Sequence, residues 1–224
     1  MNDLRYSAER EAAVHTLSFF PDIDLSVDDF LVERNRVQDA LWPTVPLLPG
    51  IRKLVHHLKK YNIPMAVATS SRRRNFELKT GHLQDVFGCF EGKTVCGDDA
   101  RHNMQGKPAP DIFLVTAGAF LGRDVGNPRE TATESQIQDR RRGLVFEDAI
   151  PGVIAGKRAG MSGMRFSVDF MLLINLTALV IVVWVPDPNL LKLDLSNMEE
   201  KPDQILGSLE NFVPEEWGLP PYDA

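Results

Sequence analysis

The sequence predicts an α/β fold with a parallel sheet. From residue 51 onward, short apolar runs with the length of buried strands alternate with segments whose apolar residues recur at helical spacing. Polar or acidic residues directly follow two of these runs, at the position where open α/β sheets bind their ligands. Strands separated by helices form βαβ units, and such units build a parallel sheet.

The first 48 residues are predicted to be mostly helical. Apolar residues recur at helical intervals over 10–20, and Ser26 is suited to start a second helix. The segment 41–50 contains three prolines and cannot continue a helix, so it is predicted to be a connector. We therefore expect a helical domain over 1–48 and a core domain over 49–224.

The core domain is predicted to begin with an amphipathic helix over 51–60. His56 and His57 are expected on the surface of this helix, since neither has the spacing of a metal ligand. The polar segment 127–142 is expected to be a surface excursion. The remaining elements are predicted in the order strand, helix, strand, helix, strand, helix, over 64–68, 76–83, 93–96, 111–121, 144–146 and 153–159.

Composition narrows the class of protein. The 224 residues are 43% hydrophobic and 25% charged, which is ordinary for a soluble globular chain. A net charge of -6 argues against general binding to nucleic acid or anionic membranes. Cys89 and Cys96 form neither a zinc pattern nor a disulfide framework, which favours a reducing compartment. Because no secretory signal is evident, we expect a cytoplasmic protein.

One apolar stretch leaves a membrane alternative open. Residues 170–185 are largely apolar, but they include Asn175 and Thr177 and follow Asp169. A spanning helix needs about 20 predominantly apolar residues, and this stretch has 16. We therefore expect no membrane partner.

Two stretches suggest the binding of an anion. Thr69 and Ser70 end an apolar run, where hydroxyls and backbone amides could hold a phosphoryl group. Helix capping is the alternative role for these hydroxyl residues. Lys107 lies between Gly106 and Pro108, and a fixed ammonium can neutralise a transferring phosphoryl group. The alternative is an ordinary lysine that faces solvent.

A third stretch suggests a metal site. Glu147 and Asp148 directly follow the apolar run 144–146. Mg²⁺ is usually held by one or two carboxylates together with the phosphate of a substrate. An exposed loop that happens to contain two acids is the alternative.

In this order, the three stretches resemble motifs II, III and IV of the haloacid dehalogenase (HAD) superfamily. Within it, the chain is most similar to the helical-cap branch of pseudouridine-5'-phosphatase-like proteins, from about residue 21 to the C-terminus. The resemblance implies a Rossmann-like HAD core with a parallel sheet, a partial helical cap at the N-terminus, and Mg²⁺-dependent hydrolysis of a small phosphorylated metabolite through an aspartyl-phosphate. It further implies that Thr69 and Ser70 bind phosphate, Lys107 neutralises phosphate and nucleophile, and Glu147 and Asp148 hold Mg²⁺.

The first motif of that superfamily, an apolar strand followed by Asp-x-Asp, is not found. Asp22 and Asp24 give only a superficial match, because Pro21 directly before them is poorly suited to a central strand. We therefore expect a truncated cap, a core without its middle strand, and a chain that is inactive for want of the nucleophile.

A second departure is the segment 163–181, which the superfamily pattern lacks. Removing it would join Ser162 to Val182 and restore the expected form, so we interpret it as an insertion, by hypothesis a translated intron. The leading functional interpretation is a HAD-type phosphatase of a sugar, polyol or nucleoside phosphate. The alternative is a non-catalytic remnant that binds phosphate or a metabolite. No nucleic acid or specific protein partner is expected.

Overall fold

A computed structural model describes residues 4–161, 182–186 and 198–223. The proposed insertion 163–181 lies outside these residues. The chain divides into two compact units, one formed by Met1–Val45 with Glu77–His82 and the other by Pro46–Phe76 with Leu83–Ala224. The domain boundary near residue 48 stays a prediction.

The first unit is built on two helices, α1 (Leu4–Ser18) and α2 (Val27–Leu41). Ser26 begins α2 as expected, because its hydroxyl accepts a hydrogen bond from the N–H of Asp29 at 3.1 Å. Within the same unit, the ammonium of Lys79 lies 4.9 Å from the centre of the Trp42 ring. This cation–π contact gives Trp42 a defined environment.

Among the described residues, six further α-helices and five strands follow. The helices are α3 (Ile51–Lys60), α4 (Arg73–Thr80), α5 (Gln84–Phe87), α6 (Asp111–Phe120), α7 (Glu134–Arg140) and α8 (Ile150–Arg158). The strands are β1 (Val67–Thr69), β2 (Thr94–Cys96), β3 (Val145–Glu147), β4 (Val182–Trp184) and β5 (Gln204–Ile205). Short 3-10 helices lie at Trp42–Thr44, Gly88–Phe90, Ala100–His102, Leu209–Asn211 and Pro214–Trp217.

Each predicted core element is present, and the bounds of all but one are shifted. The helix over 51–60 is confirmed at both ends. Helix α4 starts three residues before the predicted 76, because the carboxylate of Asp98 accepts the N–H of Arg73 at 2.9 Å and caps the helix. The polar excursion 127–142 contains helix α7, which opens with a capping box between Thr133 and Gln136.

The strands form two parallel sheets. In the first, β1 pairs with β2, with Val67 opposite Thr94. The second has the order β3-β4-β5, with Val145 opposite Val182 in its first pair. Among the described strands, none pairs with the second edge of β1 or of β3. The predicted α/β class with parallel strands is confirmed.

A common layer of helices covers one face of both sheets. Helix α6 packs against β1 and β2, helix α8 packs against β3 and β4, and α6 and α8 pack against each other. Adjacent strand residues point to opposite faces: Val145 belongs to the buried cluster under α6 and α8, whereas Phe146 packs against the cluster on the other face. That second cluster consists of Leu54, Leu58, Val183, Val185, Leu209 and Phe212.

The end of α3 is covered by the last described residues. His57 is only 6% exposed, its Nε2 lies 2.8 Å from the carbonyl oxygen of Pro220, and its ring lies 4.7 Å from that of Tyr222. The expectation that His57 lies on the surface is therefore wrong. Its neighbour His56 is exposed, as expected. One turn later, Lys60 donates to the carboxylate of Asp223 at 2.7 Å.

Every helix in the described part of the chain is too short or too polar to cross a bilayer. Residues 170–181 of the apolar stretch 170–185 lie outside that part.

Candidate active site

The candidate site is centred on an ion pair between Lys107 and Glu147. Lys107 precedes α6, and its ammonium contacts Oε1 of Glu147, the last residue of β3. The two side chains are only 14% and 7% exposed. Because little water screens them, their attraction is stronger than that of a surface pair. The alternative that Lys107 is an ordinary solvent-facing lysine is therefore excluded.

The second oxygen of Glu147 is oriented by backbone amides. Oε2 accepts hydrogen bonds from the N–H groups of Asp148 and Ala149 at 3.3 and 3.4 Å. Gly152 leaves space for this carboxylate, since a Cβ at that position would lie 2.0 Å from Cδ of Glu147. Sequence reasoning did not single out Gly152, although a glycine in the first turn after two acids was the available signal.

The loop that carries Lys107 is held by Asp111. This residue is 4% exposed, and its Oδ2 accepts the N–H of Gln105 at 2.9 Å. Arg129 lies 4.0 Å from the same carboxylate and donates to the carbonyl oxygen of Asn103 at 2.6 Å. The loop that contains Lys107 is therefore held in place by Asp111 and Arg129.

The predicted phosphate-binding residues follow β1. The hydroxyl oxygen of Thr69 accepts the N–H of Ser71 at 3.1 Å, which is a local turn contact and leaves the hydroxyl proton able to donate. Ser70 is exposed. The next loop approaches it closely, because a Cβ at Gly97 would lie 2.4 Å from the carbonyl oxygen of Ser70. The N–H of Gly97 also donates to the carbonyl oxygen of Ser71 at 3.0 Å.

Arg73 ties these two loops together. Its guanidinium donates to the carbonyl oxygen of Thr94 and to Oδ2 of Asp99, both at 3.1 Å. The same oxygen of Asp99 accepts the N–H of Cys96 at 2.9 Å. The hydrogen bonds between Arg73, Asp99 and these loops were not predicted, although two acids that follow a predicted strand were a visible signal. Their hydrogen bonds preorganise the loop that contains Ser70.

The structure brings some of the predicted site residues together and not others. Lys107 and Glu147 are in contact, and Asp148 follows them at an exposed position. Thr69 ends β1 of the other sheet, and Ser70 follows it. Asp22 and Asp24 are exposed and lie outside any strand, between α1 and α2.

The donor set fits Mg²⁺ as a partial coordination shell. Glu147 and Asp148 offer hard carboxylate oxygens, and Mg²⁺ usually combines one or two such groups with water and phosphate oxygens. Within the described residues there is no group of three or more His, Cys, Asp or Glu side chains that could enclose a metal ion. Water and the phosphate of a ligand would therefore have to supply the remaining ligands.

Comparison with known proteins adds a family and several relatives. The family profile described as haloacid dehalogenase-like hydrolase matches residues 8–160. From Arabidopsis thaliana, (DL)-glycerol-3-phosphatase 2 is 40% identical over 199 residues, which cover 89% of this chain and 67% of that protein. From the same organism, (DL)-glycerol-3-phosphatase 1, mitochondrial, is 38% identical over 198 residues, which cover 88% of this chain and 54% of that protein.

A relative from Drosophila melanogaster, the probable pseudouridine-5'-phosphatase, is 33% identical over 201 residues, which cover 90% of this chain and 71% of that protein. The chain thus spans between about half and about 70% of the length of these three relatives.

Proposed function

Because the chain belongs to the haloacid dehalogenase-like hydrolases, we propose that it carries the phosphate-binding and Mg²⁺-binding part of a phosphatase site for a small phosphorylated metabolite. The contact between Lys107 and Glu147 carries this proposal. It holds a cation and a carboxylate together at the carboxyl end of β3, with little exposure to water. Parallel sheets bind their ligands at this end.

Each predicted residue has a role in the proposed site. The ammonium of Lys107 neutralises the phosphoryl group, and the carboxylates of Glu147 and Asp148 hold Mg²⁺. The hydroxyl of Thr69 and the amide of Ser70 donate hydrogen bonds to phosphate oxygens. Mg²⁺, when bound, supplies charge neutralisation at the phosphoryl oxygens. The network of Arg73 and Asp99 keeps the Ser70 loop in place before the ligand arrives.

The names of the relatives guide the choice of substrate. Two of them are glycerol-3-phosphatases and one is a probable pseudouridine-5'-phosphatase. We propose a polyol, sugar or nucleoside monophosphate as the ligand and the cytoplasm as the location. The net charge of -6 argues against general binding of polyanions. The proposed attraction of phosphate is therefore confined to the surroundings of Lys107.

We further propose that this chain of 224 residues binds such a phosphate without hydrolysing it. The sequence contains no apolar strand that ends in Asp-x-Asp, and the exposed loop position of Asp22 and Asp24 supports this interpretation. Such a phosphate-binding remnant is the second candidate function. It differs from a working phosphatase only in the absence of turnover.

The test combines binding with turnover on the full chain. Calorimetric titration with inorganic phosphate in the presence of Mg²⁺ is expected to show saturable binding that Lys107→Met abolishes. Release of phosphate from glycerol 3-phosphate and pseudouridine 5'-phosphate is expected to stay at background. Turnover that Lys107→Met removes would establish a working phosphatase, whereas the absence of any phosphate binding would contradict both candidates.

A further inference from the structure

A groove lies on the second half of helix α6, outside the candidate active site. Its wall is formed by the loop 123–126 and by His102. Its floor consists of residues from two successive turns of the helix, Leu114, Val115, Gly118 and Ala119. The groove has a volume of about 360 Å³, near the lower end of the range of about 300–1,000 Å³ that is usual for ligand sites. It therefore has room for a small molecule.

The floor is open because Gly118 carries no side chain. A Cβ at this position would lie 3.8 Å from the carbonyl oxygen of Arg123 and 4.0 Å from Cγ2 of Val125. These are ordinary contact distances, so the packing of the loop on the helix does not require a glycine. Glycine within a helix is unfavourable relative to alanine. What the missing side chain provides here is the space of the groove.

The wall of the groove is held in a fixed shape. Val125 is 3% exposed and belongs to the buried cluster under α6 and α8, and its carbonyl oxygen accepts the Nε–H of Arg140 at 2.7 Å. Oδ1 of Asp124 accepts the side-chain amide of Gln136 at 3.1 Å and the N–H of Gly126 at 3.4 Å. Gln136 and Arg140 both belong to α7. This helix therefore preorganises the wall, which lowers the cost of ordering it when a ligand binds.

The groove carries one charged side chain of each sign. Arg123 and Asp124 both line it, and within the described residues the guanidinium of Arg123 has no ion pair or hydrogen bond. The contacts of the Asp124 carboxylate are made by Oδ1, which leaves Oδ2 able to accept. A purely anionic ligand would be repelled by Asp124, and a purely cationic one by Arg123. A small ligand that carries both charges on an apolar body complements the groove.

We propose that this groove binds a free α-amino acid with an aliphatic side chain, in its zwitterionic form. The guanidinium of Arg123 donates to the carboxylate of the ligand, whose planar shape it matches. The ammonium of the ligand donates to Oδ2 of Asp124, and the aliphatic side chain lies on the floor over Gly118. Neither Lys107 nor Glu147 lines the groove, so the proposal does not depend on the proposed phosphate site.

The probe is L-leucine, titrated into the full chain and followed by NMR at the backbone amides of Gly118, Ala119 and Gly126. Saturable shifts of these resonances are expected. 4-Methylpentanoate lacks the ammonium and 3-methylbutylamine lacks the carboxylate, so each is expected to bind at least about tenfold more weakly, as loss of a charge-assisted hydrogen bond predicts. The absence of saturable shifts with leucine, or equal affinity for either analogue, would overturn the proposal.

Variants of the groove test the assigned contacts. Arg123→Gln is expected to weaken leucine binding at least about tenfold, because it removes the charge that faces the carboxylate. Arg101→Gln is the matched control, since Arg101 is exposed and does not line the groove, and it is expected to bind leucine like the wild type. Gly118→Leu is expected to abolish binding by filling the floor, with its fold checked by circular dichroism.

An unchanged affinity of Arg123→Gln for leucine would contradict the assigned carboxylate contact and with it the proposal. Leucine binding by a folded Gly118→Leu protein would show that the ligand does not occupy the groove. The result with Arg123→Gln decides the matter even where Gly118→Leu does not fold.

Discussion

Lys107 and Glu147, forty residues apart in the sequence, meet as a nearly buried ion pair that joins the loop before α6 to the end of β3. Two ions taken out of water are costly unless each has a partner. Here Glu147 also accepts two backbone N–H groups, and Lys107 lies 5.0 Å from the centre of the Phe113 ring. The pair is therefore both a candidate site for phosphate chemistry and a structural contact.

Lys107→Met is expected to lower the free energy of unfolding by about 3 kcal/mol, because it leaves the carboxylate of Glu147 buried without a cation. Urea unfolding measures this change. The double variant Lys107→Met/Glu147→Gln removes both charges and is expected to recover most of the lost stability. A single variant as stable as the wild type would show that the pair does not form in solution.

Gly152→Ala is expected to displace the carboxylate of Glu147, since the new Cβ would occupy its position. Overpacking of this kind costs about 1–3 kcal/mol, and the thermal stabilisation by Mg²⁺ is expected to disappear. Differential scanning fluorimetry with and without Mg²⁺ measures both effects. Gly106→Ala is the control, because a Cβ there would meet no atom within 4 Å. Equal behaviour of the two variants would refute the positioning role of Gly152.

Arg73→Met is expected to loosen the loops that follow β1 and β2. The lost charge-assisted hydrogen bonds to Asp99 and Thr94 correspond to about 1.5–3 kcal/mol in unfolding free energy. Phosphate affinity is expected to fall as well, since the Ser70 loop loses its support. Urea unfolding and phosphate titration measure the two effects. Arg101→Met, at an exposed position, is the matched control and is expected to change neither. A fully stable Arg73→Met protein would be inconsistent with the proposed network.

The contact between Lys60 and Asp223 is expected to make stability depend on acid pH. The hydrogen bond from Lys60 holds the pKa of the Asp223 carboxyl below its ordinary value of 3.8. A depressed pKa contributes stability at pH values above the unfolded pKa, and that contribution is lost as the pH falls through the folded pKa. Asp223→Asn is therefore expected to melt below the wild type at pH 7 and to converge with it below pH 3.8. A difference in Tm that stays constant down to pH 2.5 would contradict this linkage.

Local patterns in the sequence predicted the fold class and most of the helices and strands. Contacts between residues far apart in the sequence could not be predicted from these patterns. Helix α3 was predicted to its ends because its apolar face repeats at helical spacing. The burial of His57 was missed, because the Pro220 carbonyl that binds it lies 163 residues away. Family membership followed from three ordered motifs and is confirmed by the match over residues 8–160.

The candidate site was predicted as a set of residues but not as an arrangement. Lys107 and Glu147 were both chosen for their chemistry, yet their contact depends on how α6 and β3 pack. The structural roles of Gly152 and Arg73 were missed, since a glycine that clears a carboxylate and an arginine that links two loops are recognised only in three dimensions.

The environment of Trp42 has an optical consequence. Trp42 lies beneath the Lys79 ammonium in the first compact unit, whereas Trp217 packs against the Leu54 and Phe212 cluster of the second. Single-tryptophan variants that keep one or the other would thus give each unit its own fluorescence signal. Coincident denaturation curves would mean that the two units unfold as one cooperative system, and separated curves would resolve the free energy of each.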